Sequence, residues 1–352
     1  MSADRRSEVA AVLAGRARAL AAGVAGVPLV EAAYRNLVLG PAGAPDRAVA
    51  TAELVVRVAG YDAYPVVHQR RLALLRTGAG WQVEREEGAG GPPPLWDLGP
   101  VAAADGGHCL VLGLAGGPDP AELVEVADRA VPAVSEVWGK DWPGRLLLHL
   151  PATEEQFARL LEADPDGWTG MAAVTTAASG APWHTPADRV LVNPEAYGGL
   201  SGFGRQVVVT HEAVHVATRA DTRAWTPLWL SEGVADWTGY RGSGRTPKQI
   251  APELARDVAV GRLPAELPAD EDFTAGAVGI AQAYEQSWLA CEVIARRFGP
   301  EGLVALYRAA GASDPGGEDR EPWLDRLLRS ELGLGLAEFT ALWLAEVRRL
   351  TS

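Results

Sequence analysis

Residues 206–237 constrain the fold of this chain more than any other stretch. They read QVVVTHEAVHVATRADTRAWTPLWLSEGVADW, with His211, Glu212 and His215 in the pattern H-E-x-x-H and then Glu232 and Asp236, again four residues apart. Side chains four apart on an α-helix share one face, with Cβ atoms about 5–6 Å apart. The two imidazoles therefore share a face of one helix, and the two carboxylates share a face of a second. Such a His pair suits a single metal ion. Zinc takes imidazole nitrogen and carboxylate oxygen in a four-coordinate set, leaving one position to water where the site is reactive. Two His cannot complete that set, so the fold has to deliver a third ligand, and Glu232 is the candidate. Asp236 has the spacing to accept the second ring N–H of a ligating His. Glu212 directly follows the first ligand and shares its cleft without reaching the metal. A carboxylate placed there can take a proton from a water and hand it to a leaving group.

H-E-x-x-H followed by W-L-S-E-G-V-A-D at 229–236 resembles the gluzincin metallopeptidases, the thermolysin and aminopeptidase N families and the broader peptidase MA-like domain. Residues 229–235 are similar to the aminopeptidase N-like W-L-N-E-G-F-A, with Ser231 in place of Asn, and the Glu232/Asp236 pair is similar to the thermolysin arrangement. The resemblance implies one Zn²⁺ per chain held by His211, His215 and Glu232, with Glu212 as general base. It also implies a donor for the oxyanion. AYEQSWLACEVIARRFG at 283–299 resembles the aminopeptidase N-like Y-E-K-G helix, whose Tyr has that task, which points to Tyr284 here, with Tyr240 and Tyr197 as fallbacks. One departure limits the substrate. Aminopeptidase N-like enzymes carry an edge-strand G-A-M-E-N whose Glu binds the substrate amine, whereas GMAAV at 170–174 has no acid. A strict aminopeptidase is therefore disfavoured. Asp270, Glu271 and Asp272 could supply an amine-binding charge, but an acidic run before a helix is ordinarily a solvated face.

The expected function is a zinc-dependent metallohydrolase, a peptidase acting on peptide or protein substrates. Two alternatives stand beside it: a non-catalytic, zinc-stabilised partner-binding protein, and a zinc amidase acting on cell-envelope material. A purely structural zinc site argues against the first, since it would favour four closed protein ligands and give Glu212 no purpose. A formal charge of −13 excludes phosphate-backbone binding as a main function, so no nucleic-acid partner is expected. Cys109 and Cys291 are read as free, buried thiols. His68, His108, His149 and His184 each stand alone in the pattern and are read as structural or surface residues.

With 352 residues, 48% of them hydrophobic and 22% charged, the chain is globular and long enough for two or three domains. No run approaches eighteen uninterrupted apolar residues, so no transmembrane segment is expected. The N-terminus shows no signal peptide, because Arg16 and Arg18 interrupt its apolar positions and mark an amphipathic helix. The expectation is a soluble chain, cytoplasmic or extracytoplasmic with a missing N-terminal anchor; oligomeric state is left open.

The expected fold class is α+β. A helix at 6–22 precedes strands at 29–39, 51–58, 65–76 and 81–86, with a break at 40–43 and a hairpin turn at 77–80. This pattern resembles the cone-shaped nuclear-transport-factor-like and SnoaL-like group. EGAGGPPP at 87–94 is a linker, and it places the boundary between a cone-like domain at 1–90 and a gluzincin domain at 91–352. The second domain should open with a mixed-sheet upper lobe: strands at 108–114, 145–150, 171–178 and 189–192, and helices at 120–138 and 153–162. Residues 170–176 are the candidate edge strand for extended substrate. A helical lower lobe follows, with helices at 205–219, 227–239, 252–261, 277–298, 300–310, 322–332 and 337–349.

Overall fold

The computed structural model describes residues 2–24, 26–40, 44–164, 170–177, 184–274 and 276–350. Residues 41–43 of the expected break and Ala178 of the expected strand lie outside these. The fold is α+β, with an N-terminal antiparallel sheet, a mixed sheet and a helical C-terminal region. Its contacts divide into two compact units, Met1–Glu125 with Arg145–Gly199, and Val126–Gly144 with Leu200–Ser352. Among the described residues, no helix is long and apolar enough to cross a membrane.

The first unit begins with α1 (Ser2–Gly23), then β1 (Leu29–Leu39), β2 (Arg47–Val58), β3 (Val66–Thr77) and β4 (Gly80–Gly88), which pair in chain order as an antiparallel meander. The strands alternate: β2 turns Ala48, Ala50, Ala52 and Leu54 inward, where Val9 and Leu13 of α1 pack with Leu72, Leu74 and Trp81. Gly80 closes the β3–β4 turn at φ 103°, a backbone region that other residues rarely adopt. Residues 87 and 88 of the 87–94 stretch belong to β4, and Ala89 N–H bonds to Gln69 O at 2.9 Å.

A five-stranded sheet follows in the order β5-β6-β7-β9-β8, formed by β5 (Val101–Asp105), β6 (Cys109–Leu114), β7 (Leu146–Leu150), β8 (Ala173–Thr176) and β9 (Arg189–Val192). β6, β7 and β9 run parallel, and antiparallel β5 and β8 close the edges. The parallel strands are mostly apolar, as burial on both faces demands: CLVLGL of β6 is buried throughout, and only His149 in β7 and Arg189 in β9 are partly exposed. β5 was absent from the sequence reading. Its VAAAD has weak strand propensity, and pairing with β6 supplies what the local sequence lacks. The 170–176 candidate does lie at a sheet edge, as β8. Helices α2 (Pro120–Trp138) and α3 (Glu154–Leu160) make the crossovers, and Thr153 caps α3 on Gln156 N–H. Buried Asp62, beyond β2, accepts from Val58 N–H, Ala187 N–H and the Arg189 guanidinium, tying the first sheet's end to β9.

The second unit is helical: α5 (Gly202–Thr218), α6 (Leu228–Tyr240), α8 (Pro252–Ala259), α9 (Ile280–Ala312), α10 (Arg320–Leu332) and α11 (Leu336–Arg349), with short α4 (Pro194–Gly198, in the first unit) and α7 (Pro247–Ile250) unanticipated. The expected helices at 277–298 and 300–310 are two halves of α9, bent where Gly299 takes φ 78°, ψ 162° before Pro300. That pair breaks the helix because Pro300 removes a donor and Gly299 tolerates the left-handed turn.

Candidate metal centre

α5 and α6 form the site. Ser201 caps α5 by accepting from Gly204 N–H at 3.1 Å. α6 begins after Pro227, and the first free N–H, of Leu228, donates to Asp270 Oδ1 at 2.9 Å. Asp270 also receives Arg320 at 2.9 Å, and Asp272 accepts from Ala269 N–H. Two members of the acidic run thus hold backbone in place, a role that spacing alone did not reveal.

Two glycines set the depth at which α6 lies. A Cβ on Gly233 would stand 2.5 Å from Ser287 O and 2.7 Å from Cys291 Sγ of α9; one on Gly239 would stand 3.1 Å from Val207 O of α5. α6 is therefore pressed between α5 and α9 at backbone distance. Tyr307 supports the same arrangement from α9, its hydroxyl lying 2.8 Å from Thr222 Oγ1 and 3.3 Å from Ser231 Oγ. The signal for Gly233 was present in the W-L-S-E-G string but says nothing about which backbone it admits.

These contacts bring His211, His215 and Glu232 into one cluster, all ligand atoms within 4.8 Å of one another. The two Nε2 atoms are 3.1 Å apart, and Glu232 Oε2 is 3.1 Å from that of His211 and 3.4 Å from that of His215. Asp236 Oδ1 lies 2.8 Å from His211 Nδ1. A carboxylate only accepts, so Nδ1 carries the proton and Nε2 faces the cluster. Ligands 2.0–2.1 Å from a tetrahedral ion stand about 3.3 Å apart, which the three separations match. Burial alone would lower the imidazole pKa values. Asp236 and Glu232 outweigh it and hold His211 well above the ordinary range, while Glu232 raises His215. Glu232 is held well below the usual carboxylate range, against its burial, by His215 and His211. Two imidazole nitrogens and one carboxylate oxygen so placed are a donor set that fits a zinc ion.

Glu212 is 5% exposed and close enough to act electrostatically on both His215 and Tyr284. Tyr284, on α9, has its ring 6.1 Å from that of His211 and hydrogen-bonds to Glu232. Burial, then Glu232, Asp236 and Glu212, push its phenol far up, so it remains a donor throughout the accessible pH range. Phe273, unmarked in the sequence, stands edge-on to Tyr284 at 5.4 Å. Of the fallback tyrosines, Tyr240 stands 5.9 Å from Phe203, its phenol pKa pushed up by burial and then by Asp236 and Glu285, and Tyr197 is buried in the first unit. Glu285, next to Tyr284, accepts from Glu253 and Leu254 N–H at the start of α8, and its burial raises its pKa to about 7. Cys109 and Cys291 are both buried thiols outside any disulfide.

Neither protein-family models nor curated proteins match the chain. Among solved structures, it is similar to a two-domain M1 zinc metallopeptidase bound to L-arginine, at 16% identity and TM-score 0.39, over 92% of this chain and 64% of that one. An M1 zinc metallopeptidase from Deinococcus radiodurans bound to a Tyr-Ser-Ala substrate is similar at 14% identity and TM-score 0.37, over 90% and 61%. The chain thus spans less than two thirds of the length of these structures.

Proposed function

We propose that the protein is a zinc-dependent hydrolase that cleaves peptide bonds, with His211, His215 and Glu232 as the metal ligands. The observation that carries this is the convergence of two Nε2 atoms and one carboxylate oxygen within 3.4 Å, with buried Glu212 beside them. Zinc bound by such a set polarises a carbonyl and lowers the pKa of water from about 15.7 towards about 7. Asp236 holds the His211 ring in the tautomer that offers Nε2. Glu212 takes the proton of the attacking water and returns it to the leaving amine. Tyr284 donates its O–H to the oxyanion; its Glu232 hydrogen bond in the resting site keeps it turned toward the metal side. GMAAV at 170–174 carries no acid to bind a substrate amine, which favours an endopeptidase over an aminopeptidase. We further assign residues 1–90 to a cone-like domain and 91–352 to the gluzincin domain; limited proteolysis within 87–94 tests that boundary.

The decisive experiment pairs zinc content with cleavage of a broad peptide library. Wild type should hold about one zinc per chain and cleave. Glu212→Gln should keep the zinc and lose cleavage by about 10²–10⁴-fold, and His215→Ala should lose the metal. Undiminished cleavage by Glu212→Gln would remove the general-base role. Zinc binding with no cleavage by wild type would favour a partner-binding protein.

A further inference from the structure

Tyr284 lies near the N-terminal end of α9, and that end lacks a side-chain cap. α9 begins after Gly279, which takes φ 90° and has no side chain to satisfy the free N–H groups of the first turn. From Ser287 onward the helix is fixed, because the Gly233 approach presses α6 against Ser287 O and Cys291 Sγ. Between residues 280 and 286 only Ala283 is buried, and Tyr284 falls in that interval. Helix ends fray unless something holds them, and a phenol carried on such an end would not keep a set place beside the metal ligands.

What holds the interval is α8. Glu285 accepts from Glu253 N–H at 3.1 Å and from Leu254 N–H at 2.6 Å, both in the first turn of α8. Ala251, the residue before that helix, supplies no cap of its own. Gln282 donates from Nε2 to Asp257 Oδ2 at 3.3 Å, a second tie to the same helix. Gln282 and Glu285 are three apart and share the face of α9 turned to α8. Tyr284, about 100° round the helix from Glu285, is turned instead to His211 and Glu232.

Stability does not account for Glu285. Its two N–H bonds favour the ionised form, yet burial outweighs them and raises the pKa from 4.5 to about 7. A carboxyl raised in this way binds its proton more readily in the fold than in the unfolded chain, so stability falls as the pH rises between those values. An Asn or Ser in place of Ala251 would satisfy the same N–H groups without that cost. A local cap of that kind could not tie α8 to the turn of α9 that carries Tyr284.

We propose that Glu285 is a positioning residue for Tyr284: it clamps the uncapped start of α9 to α8 and so fixes the phenol beside the metal centre. Its effect on turnover rests on the role proposed above for Tyr284; its effect on the place of the ring does not.

The test uses the full-length, zinc-loaded protein with its seven tyrosines replaced by 3-fluorotyrosine. The ¹⁹F resonance missing from Tyr284→Phe is that of Tyr284. Glu285→Ala should shift or broaden it, and Glu285→Gln, which keeps one acceptor, should restore most of its position. With a peptide substrate, Glu285→Ala should lower kcat by about 10–10²-fold at unchanged zinc content, as a displacement of about 1 Å does. In a Tyr284→Phe background the same change should lower kcat by less than about two-fold, because the group it positions is already gone. Should Glu285→Ala not fold, Glu285→Met, which keeps the volume, decides. The proposal is overturned if the Tyr284 resonance is unmoved, if kcat in an active enzyme is unmoved, or if kcat falls equally with and without the Tyr284 hydroxyl. A wild type that holds zinc and cleaves nothing removes the peptidase reading, and the ¹⁹F comparison then decides the clamp by itself.

Discussion

Around His211 the charged atoms turn toward one point, whereas around Arg70 they turn toward one another. His211 Nε2, His215 Nε2 and Glu232 Oε2 crowd within 3.4 Å, and only a cation or shared protons can relieve three electron-rich atoms so placed. Arg70, Glu86, Arg16 and Asp97 close their own ion pairs and sum to neutrality. The first cluster offers a set of lone pairs that could hold a metal ion. The second is complete in charge. Buried ionisable residues are therefore not one class: the direction of their free lone pairs tells whether a partner is awaited.

The comparison can be broken at several points, beginning with the largest effect. Glu212→Gln removes the proton acceptor and should reduce peptide cleavage by about 10²–10⁴-fold at full zinc occupancy, read by rate and elemental analysis together. Tyr284→Phe should reduce kcat by about 10²–10³-fold, with the metal retained. A Tyr that merely packs would leave kcat near wild type. In the other cluster, Glu86→Gln leaves Arg70 and Arg16 with one carboxylate between them and should cost about 3 kcal/mol of stability in denaturant unfolding. Peptide cleavage per folded molecule should not change, which separates the two regions. Asp236→Asn removes the charged partner of His211 Nδ1 and should weaken zinc by about 10–100-fold in competition with a chelator.

The smallest effect is on pH. Burial, then the charge of Arg70, lowers the His68 pKa from 6.5 to about 4. A His with a depressed folded-state pKa is neutral in the fold, so the unfolded chain binds more protons between those values. Its contribution to stability is present above pH 6.5 and is lost as the pH falls towards 4. His68→Asn should flatten that acid limb relative to wild type; the metal site titrates in both proteins and cancels in the difference. Identical acid limbs would show that His68 is not held neutral.

Much of the metal centre was legible because helical periodicity is local. H-E-x-x-H and E-x-x-x-D place four side chains on two helix faces without reference to anything else in the chain. That Tyr284 would stand beside His211 was suggested only by its surrounding motif, since a Tyr on a helix has no spacing that announces its neighbours. Phe273 carried no signal, since it acts through ring packing, and Asp270 stood out only as part of an acidic run, with nothing to mark that it accepts the first N–H of a helix 42 positions earlier in the chain. β5 was missed because VAAAD becomes a strand only by pairing with β6. The ion-pair cluster around Arg70 was illegible for a related reason. Arg16, Arg70, Glu86 and Asp97 come from four separate segments, and no pattern within any one of them marks the others.

The sequence by itself determined the ligand types, their pairing on two helices, the alternating strands of the first sheet and the continuous apolar strands of the second. Each of these follows from propensity or periodicity over a few residues. Only the tertiary structure decided that α6 lies at backbone distance from α5 and α9, because Gly233 and Gly239 permit the approach without specifying the neighbour. That approach is what turns two helix faces, each with its own pair of side chains, into a single cluster of donor atoms.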